Sequence, residues 1–104
     1  MSNFFKKLFG ASEKPDLNAL IEEGAFLVDV RSPQEFAQSK VKGSVNMPLD
    51  SISRQLGKFK DKKHIIVFCR SGNRSSQAKS ILQRNGFTNV VNGGTAGNVN
   101  QFVK

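Results

Sequence analysis

The stretch from His64 to Ser75 constrains the fold more than any other part of the sequence. It begins with the run His64-Ile-Ile-Val-Phe68, which is rich in β-branched residues and almost entirely apolar. A continuous apolar run of this kind is typical of a strand that is covered on both faces, as in a parallel sheet. The polar residues 69–75 follow at once, and apolar residues at helical spacing resume over about 74–85. The stretch therefore predicts a strand, a short loop and a helix in direct succession.

The rest of the chain repeats this alternation of short apolar runs and helical patterns. Further strands are predicted at residues 25–30, 44–46 and 89–91. A helix is predicted at residues 17–23, with Asp16 as its N-cap. Three more helices are predicted: one after the capping box Ser32-Pro33-Gln34-Glu35, one after a cap at Asp50, and one at the C-terminus. Gly93-Gly94 is interpreted as a tight turn. We expect an α/β fold, with a mostly parallel sheet of four or five strands and helices on both faces.

The chain length allows one domain. With 104 residues the chain has the size of a single compact unit, which we assign to residues 13–104. Residues 1–12 are expected to form a mobile lead segment. Phe4, Phe5, Leu8 and Phe9 flank two lysines there, so weak contact of residues 1–10 with a membrane surface is the only membrane association we expect. No apolar run approaches the length of a membrane span.

The composition excludes several kinds of site. A single cysteine, Cys69, rules out an intramolecular disulfide and a multi-cysteine zinc site, and no His, Cys and carboxylate residues have the spacing of metal ligands. A free thiol fits a reducing compartment, so we expect a cytoplasmic protein without a metal or a cofactor. The net charge of +8 favours an anionic partner, but no nucleic-acid motif appears.

Cys69 is the candidate nucleophile. It stands at the end of the predicted strand 64–68, at the edge of an α/β sheet where ligands bind. Backbone N–H groups of the loop, the N-terminus of the following helix, Arg70 and Arg74 together form a site for an anion. Such surroundings lower a thiol pKa from about 8.5 to roughly 3.5–7.5. We therefore expect a thiolate that is partly open to solvent, and not an inert core cysteine.

Four segments of the chain resemble the rhodanese family, and the resemblance covers about residues 13–95. They are Val28-Asp-Val-Arg-Ser-Pro-Gln-Glu-Phe36, Val41-Lys-Gly-Ser-Val-Asn-Met-Pro48, Cys69 to Ser75, and Gly86-Phe-Thr-Asn-Val90 through Gly93-Gly94. Two positions depart from the family pattern. Lys40 and Val41 stand where a histidine and an isoleucine are usual, and Phe102 is the only aromatic residue where a tryptophan often follows the paired glycines.

The resemblance implies a sulfurtransferase. The Cys69 thiolate would take the outer sulfur of thiosulfate or a related anionic donor as a persulfide and pass it to cyanide, a thiol or a protein acceptor. The residues that would bind the donor are Arg70, Ser71, Gly72, Asn73, Arg74 and Ser75. Arg74 has an alternative role, in which it braces the loop internally. Asp29 and Arg31 are interpreted as a structural ion pair that supports the loop, and His64 as an ordinary residue at a strand end.

Two other functions remain open from the sequence. Phosphatases and arsenate reductases related to this family also use a cysteine in an anion-binding loop, but with one more residue between the cysteine and the arginine. Here only four residues separate Cys69 from Arg74, which favours a protruding sulfur over a whole tetrahedral oxyanion. The other alternative is a noncatalytic module that binds a partner; the retained cysteine argues against it.

Overall fold

The structure, a computed structural model, describes residues 15–104. Within that range the strands are β1 (Phe26–Asp29), β2 (Val45–Asn46), β3 (Ile65–Cys69) and β4 (Val90–Thr95), and the α-helices are α1 (Leu17–Glu22), α2 (Pro33–Gln38), α3 (Asn73–Arg84) and α4 (Ala96–Asn100). The four strands form one sheet in the order β2-β1-β3-β4, and every neighbouring pair is parallel. The predicted α/β fold is confirmed, with the lower of the two expected strand numbers.

The sheet is covered on both faces, as its apolar strands require. Alternate residues of β3 point to opposite sides, so Ile65, Val67 and Cys69 join one apolar cluster while Ile66 and Phe68 join the other. The first cluster includes Ala78 and Leu82 of α3. The second includes apolar residues of α1 and α4, and Phe102 packs against it. All five residues of β3 are buried, which identifies β3 as the centre of the core.

Local sequence signals position several helix ends. Ser32 and Glu35 form the predicted capping box at the start of α2, with Pro33 at the first helical position. Helix α3 ends as its glycine predicts: Gly86 adopts a φ of +94°, and the Phe87 N–H donates to the Leu82 carbonyl at 3.0 Å. These contacts define the start of α2 and the end of α3, two of the helices near the candidate site.

Two local predictions are wrong. The expected helix with Asp50 as its cap is a pair of short 3₁₀ helices, Leu49–Arg54 and Leu56–Phe59, and no side chain caps the first of them. Gly93-Gly94 is not a turn but part of β4, because the pairing with β3 shifts there and Phe68 lies opposite Gly94. This bulge continues the strand past the glycines, and a Cβ on Gly93 would lie only 2.7 Å from Val99 Cγ2.

The predicted lead segment lies outside the described residues, so the division at residues 12 and 13 stays a prediction. Among residues 15–104, no helix is long and apolar enough to cross a membrane.

Candidate active site

Cys69 is the last residue of the central strand β3, as predicted, and its side chain points toward the N-terminus of α3. Its exposure is a correction: Cys69 is 0% exposed, whereas we expected a partly open sulfur. The loop accounts for the difference, because its backbone closes over the sulfur. Gly72, whose N–H lies 3.0 Å from Sγ, is itself only half-buried, and Ser71 before it is exposed. The sulfur therefore lies where the first apolar cluster meets the loop, next to residues that reach the surface.

The backbone of the loop and of α3 converges on the sulfur. The Gly72 N–H donates to Cys69 Sγ at 3.0 Å, and the Ser75 N–H donates to it at 3.4 Å. Gly72 is the N-cap of α3 and has no side chain that could accept from the first turn, so the cysteine sulfur takes the place of a capping oxygen. A left-handed φ of +96° at Gly72 lets the loop turn this tightly. This geometry favours negative charge on the sulfur.

The pKa of the Cys69 thiol is lowered by these contacts. Burial raises it, but the Ser75 hydroxyl and the backbone N–H groups of Ser75, Ser71 and Gly72 lower it by more. The Ser75 Oγ lies 3.4 Å from Sγ, and Ser75 is completely buried. The site thus stabilises a thiolate without a histidine base. His64 lies at the opposite end of β3, where its ring contacts Glu23 at 2.7 Å.

The two arginines of the loop have different surroundings. Arg74 donates two hydrogen bonds to the Glu35 carboxylate, at 2.7 and 3.1 Å. This contact lowers the pKa of Glu35 to about 2 and raises the pKa of Arg74. Arg70 is exposed and forms no ion pair with any residue from 15 to 104. Of the two guanidinium groups, the one on Arg70 is available to an incoming anion. Ser71 and Asn73 are also exposed on the same loop.

Asp29 and Arg31 form a buried ion pair at the end of β1. The Arg31 Nη2 lies 2.7 Å from Asp29 Oδ2, and the same guanidinium donates to the Ser39 carbonyl beyond α2. The carboxylate raises the pKa of Arg31. Asn46 Nδ2 donates to the carbonyls of Asp29 and Arg31 at 3.0 Å each. The pair therefore braces the segment after β1, which carries Glu35, the carboxylate partner of Arg74.

Comparison with known proteins assigns the chain to a family. A family model described as a rhodanese-like domain matches residues 13–97. The chain belongs to this family. It is 36% identical over 69 residues to the thiosulfate sulfurtransferase PspE of Escherichia coli, a match that covers 64% of this chain and 66% of that protein. The chain thus spans slightly less than two thirds of that relative.

Two further matches agree with the family and the fold. The thiosulfate sulfurtransferase GlpE of Pseudomonas syringae is 40% identical over 78 residues, covering 73% of this chain and 74% of that protein. A solved structure described as a rhodanese with anions from E. coli superposes with a TM-score of 0.66 at 32% identity, covering 72% of this chain and 91% of that one. The rhodanese-like family and the α/β fold predicted from the sequence are both confirmed.

The sequence predicts no functional role for two residues that the structure places at the site, Glu35 and Asn92. Glu35 was recognised only as part of a capping box, yet its carboxylate also holds Arg74. Asn92 was not singled out, although its side chain contacts both Ser75 and Gly72. The position of Asn92 directly before the paired glycines is the one feature of the sequence that could indicate its role. The interpretation of those glycines as a turn gave no reason to place Asn92 next to the loop.

Proposed function

We propose that this protein is a sulfurtransferase that carries a sulfane sulfur as a persulfide on Cys69, with thiosulfate as a donor. The observation that carries the proposal is the convergence of the Gly72 and Ser75 N–H groups on Sγ at the N-terminus of α3. Preorganised donors of this kind stabilise a thiolate before the reaction and an anionic outer sulfur after it. The sulfurtransferase names of the relatives PspE and GlpE agree with this chemistry.

The transfer proceeds in two displacements. The Cys69 thiolate attacks the outer sulfur of thiosulfate, a new S–S bond forms to Cys69, and the original S–S bond breaks as sulfite leaves with its electron pair. The enzyme then carries an anionic persulfide. A thiophilic acceptor (cyanide, a thiol or a protein thiolate) attacks the outer sulfur, and Cys69 leaves as the thiolate. With cyanide the product is thiocyanate, and no external oxidant or reductant is needed.

The loop has to move outward for the first displacement, because it covers the sulfur in the closed arrangement. Its exposed residues Arg70 and Ser71 leave it room to do so, and Gly72 provides the flexible backbone position. In the persulfide state the N–H groups that now contact Sγ are available to the outer sulfur. The residues that surround the donor are then the predicted set of Arg70, Ser71, Gly72, Asn73, Arg74 and Ser75.

We assign different tasks to the two arginines. Arg70 lacks a carboxylate partner within the described part of the chain, so it is the residue that grips the sulfonate oxygens of the donor. Arg74 is held by Glu35, and we propose that it braces the first turn of α3 while adding positive charge near the sulfur. The Asp29–Arg31 pair supports the segment that carries Glu35. A single free cysteine that must stay reduced suits this chemistry in the cytoplasm.

The experiment measures sulfite and thiocyanate from thiosulfate and cyanide, with release of phosphate from an aryl phosphate assayed in parallel. We expect turnover of thiosulfate and negligible hydrolysis of the phosphate ester. Cys69→Ser should abolish turnover, because a serine hydroxyl stays protonated and cannot form a persulfide. Ser76→Ala is the matched control, since Ser76 is exposed and contacts the loop only through its backbone N–H. Faster phosphate release than sulfite release, or full activity of Cys69→Ser, would overturn the proposal.

A further inference from the structure

The Ser75 hydroxyl has one proton and three acceptors within reach. Its Oγ lies 2.7 Å from Asn92 Oδ1, 3.1 Å from the Gly72 carbonyl and 3.4 Å from Cys69 Sγ. A hydroxyl donates only one hydrogen bond at a time, and of the two oxygen contacts only the one to Asn92, at 2.7 Å, has the usual O–H···O length. In this arrangement the proton therefore goes to Asn92, and the oxygen turns its lone pairs toward the sulfur.

Asn92 is itself held in place by both ends of its carboxamide. Its Oδ1 also accepts the Gly94 N–H at 2.9 Å, and its Nδ2 donates to the Gly72 carbonyl at 3.3 Å. These partners fix which end of the amide is the oxygen, because Oδ1 faces two donors and Nδ2 faces a carbonyl. The bulge in β4 produces this geometry by placing Asn92 opposite Val67 and Gly94 opposite Phe68. The acceptor that faces Ser75 is thus a fixed part of the sheet.

We propose that Asn92 is a positioning residue for the nucleophile. Its Oδ1 holds the single Ser75 proton away from the Cys69 sulfur, so that the hydroxyl accepts from the neutral thiol instead of donating to the thiolate. When the thiol is neutral, its S–H donates to Ser75 Oγ, and the Ser75 hydroxyl donates to Asn92 Oδ1, which gives a chain of two hydrogen bonds. A thiolate gains the hydroxyl as a donor only when Ser75 gives up its contact with Asn92.

This competition matters because the Ser75 hydroxyl, when it donates to the thiolate, is the largest of the hydrogen-bond contributions that lower the Cys69 pKa. A thiolate with a very low pKa is abundant but weakly nucleophilic, and the best attacking thiol has a pKa near the ambient pH. By restraining the hydroxyl, Asn92 leaves the thiolate more nucleophilic than one that also accepts from Ser75, because intrinsic nucleophilicity falls as the thiol pKa falls. The benefit to sulfur transfer rests on the proposed function, whereas the effect on ionisation of Cys69 does not.

The charged groups near Cys69 are the same in the wild type and in the variants of Asn92 and Ser75. They are Arg70 of the loop, Arg74 of α3 with its partner Glu35 of α2, and the Asp29–Arg31 pair at the end of β1. Strand β4 and helix α4 carry no charged side chain. A change at Asn92 therefore leaves the charges around the sulfur unaltered, and a shift in titration reports on the hydrogen bonds.

The test is the pH profile of alkylation by iodoacetamide, which is specific here because Cys69 is the only cysteine. Asn92→Ala should lower the apparent thiol pKa by about 0.5 to 1 unit, because the freed hydroxyl turns to the thiolate, whose negative charge makes it a stronger acceptor than the neutral Gly72 carbonyl at 3.1 Å. In the Ser75→Ala background, the further change Asn92→Ala should have no effect, since the proton that Asn92 competes for is gone.

The double-variant comparison separates this role from a general structural one. If Asn92 only shaped the loop, its removal would shift the pKa equally with and without Ser75, and that result would overturn the proposal. So would an unchanged or raised pKa in Asn92→Ala. Asn98→Ala is the matched control: its amide donates to the neighbouring Gly93 carbonyl at 2.8 Å and should leave the profile unchanged. If the alanine variant does not fold, Asn92→Val is the substitute, because valine suits a strand better, and it should lower the apparent thiol pKa in the same way. Alkylation needs no sulfur donor, so these results stand apart from the assay of sulfur transfer.

Discussion

Replacing Gly93 by alanine should destabilise the protein strongly, although it adds only one methyl group. A Cβ at Gly93 would lie 2.7 Å from Val99 Cγ2 and 2.8 Å from Ile66 Cγ2. Non-bonded carbons are comfortable at about 3.5–4.0 Å, so both neighbours would have to move by nearly 1 Å. Val99 and Ile66 are completely buried, and side chains in a protein core are closely packed against their neighbours. Overpacking of this kind costs about 1–3 kcal/mol in the free energy of unfolding.

Thermal unfolding followed by circular dichroism measures this cost. For a domain of this size we expect the Tm to fall by roughly 5–20 °C. Gly57→Ala is the control, because nothing lies within 4 Å of the added Cβ and Gly57 does not require a positive φ. Its Tm should stay within a few degrees of the wild-type value. A Gly93→Ala protein as stable as the wild type would refute the close packing of β4 against Ile66 and α4.

Three more predictions concern the loop and its supports. Arg70→Ala should raise the KM for thiosulfate about threefold to tenfold in steady-state kinetics, because the donor loses its free guanidinium partner; an unchanged KM would contradict the role of Arg70. Glu35→Gln should be less stable than wild type in urea unfolding near pH 7. The folded-state pKa of Glu35 is about 2, against an ordinary 4.5. The difference in the free energy of unfolding between wild type and variant should therefore have its full size above pH 4.5 and should shrink as the pH falls toward 2. A difference independent of pH would contradict the ion pair with Arg74. Inserting one glycine after Gly72 should lower kcat for sulfur transfer by misplacing the N–H groups, whereas full activity would show that loop length is immaterial.

Much of the fold follows from short-range signals in the sequence. The apolar run at 64–68 predicts the central strand because its side chains must be covered on both faces, and the structure buries every residue of β3. Ser32, Pro33 and Gly86 mark helix ends through local hydrogen bonds and backbone angles, which depend on few neighbours. The two 3₁₀ helices and the continuation of β4 were not predictable in this way. The course of β4 through Gly93 depends on its distant neighbours Ile66 and Val99, which local patterns do not show.

For the candidate site too, the residues that are close together in the sequence were predictable, and the contacts between distant residues were not. Cys69, Arg70 and Arg74 were predicted because a strand, a polar loop and a helix follow each other within the sequence. The contacts of Glu35 with Arg74 and of Asn92 with Ser75 join residues 39 and 17 positions apart, so the sequence held no direct sign of them. The burial of the sulfur was missed for a related reason. It depends on how tightly the loop folds back at Gly72, which is a property of its three-dimensional path.

The central claim is that Cys69 carries the sulfur, and intact-mass spectrometry after treatment with thiosulfate tests it most directly. The chain has no other cysteine, so no second thiol can accept the sulfur or rescue its loss. We expect the protein to gain the mass of one sulfur atom, to lose it when cyanide is added with formation of thiocyanate, and to gain nothing as Cys69→Ser. A wild-type protein that gains no mass, or a serine variant that gains as much as wild type, would contradict the persulfide on Cys69.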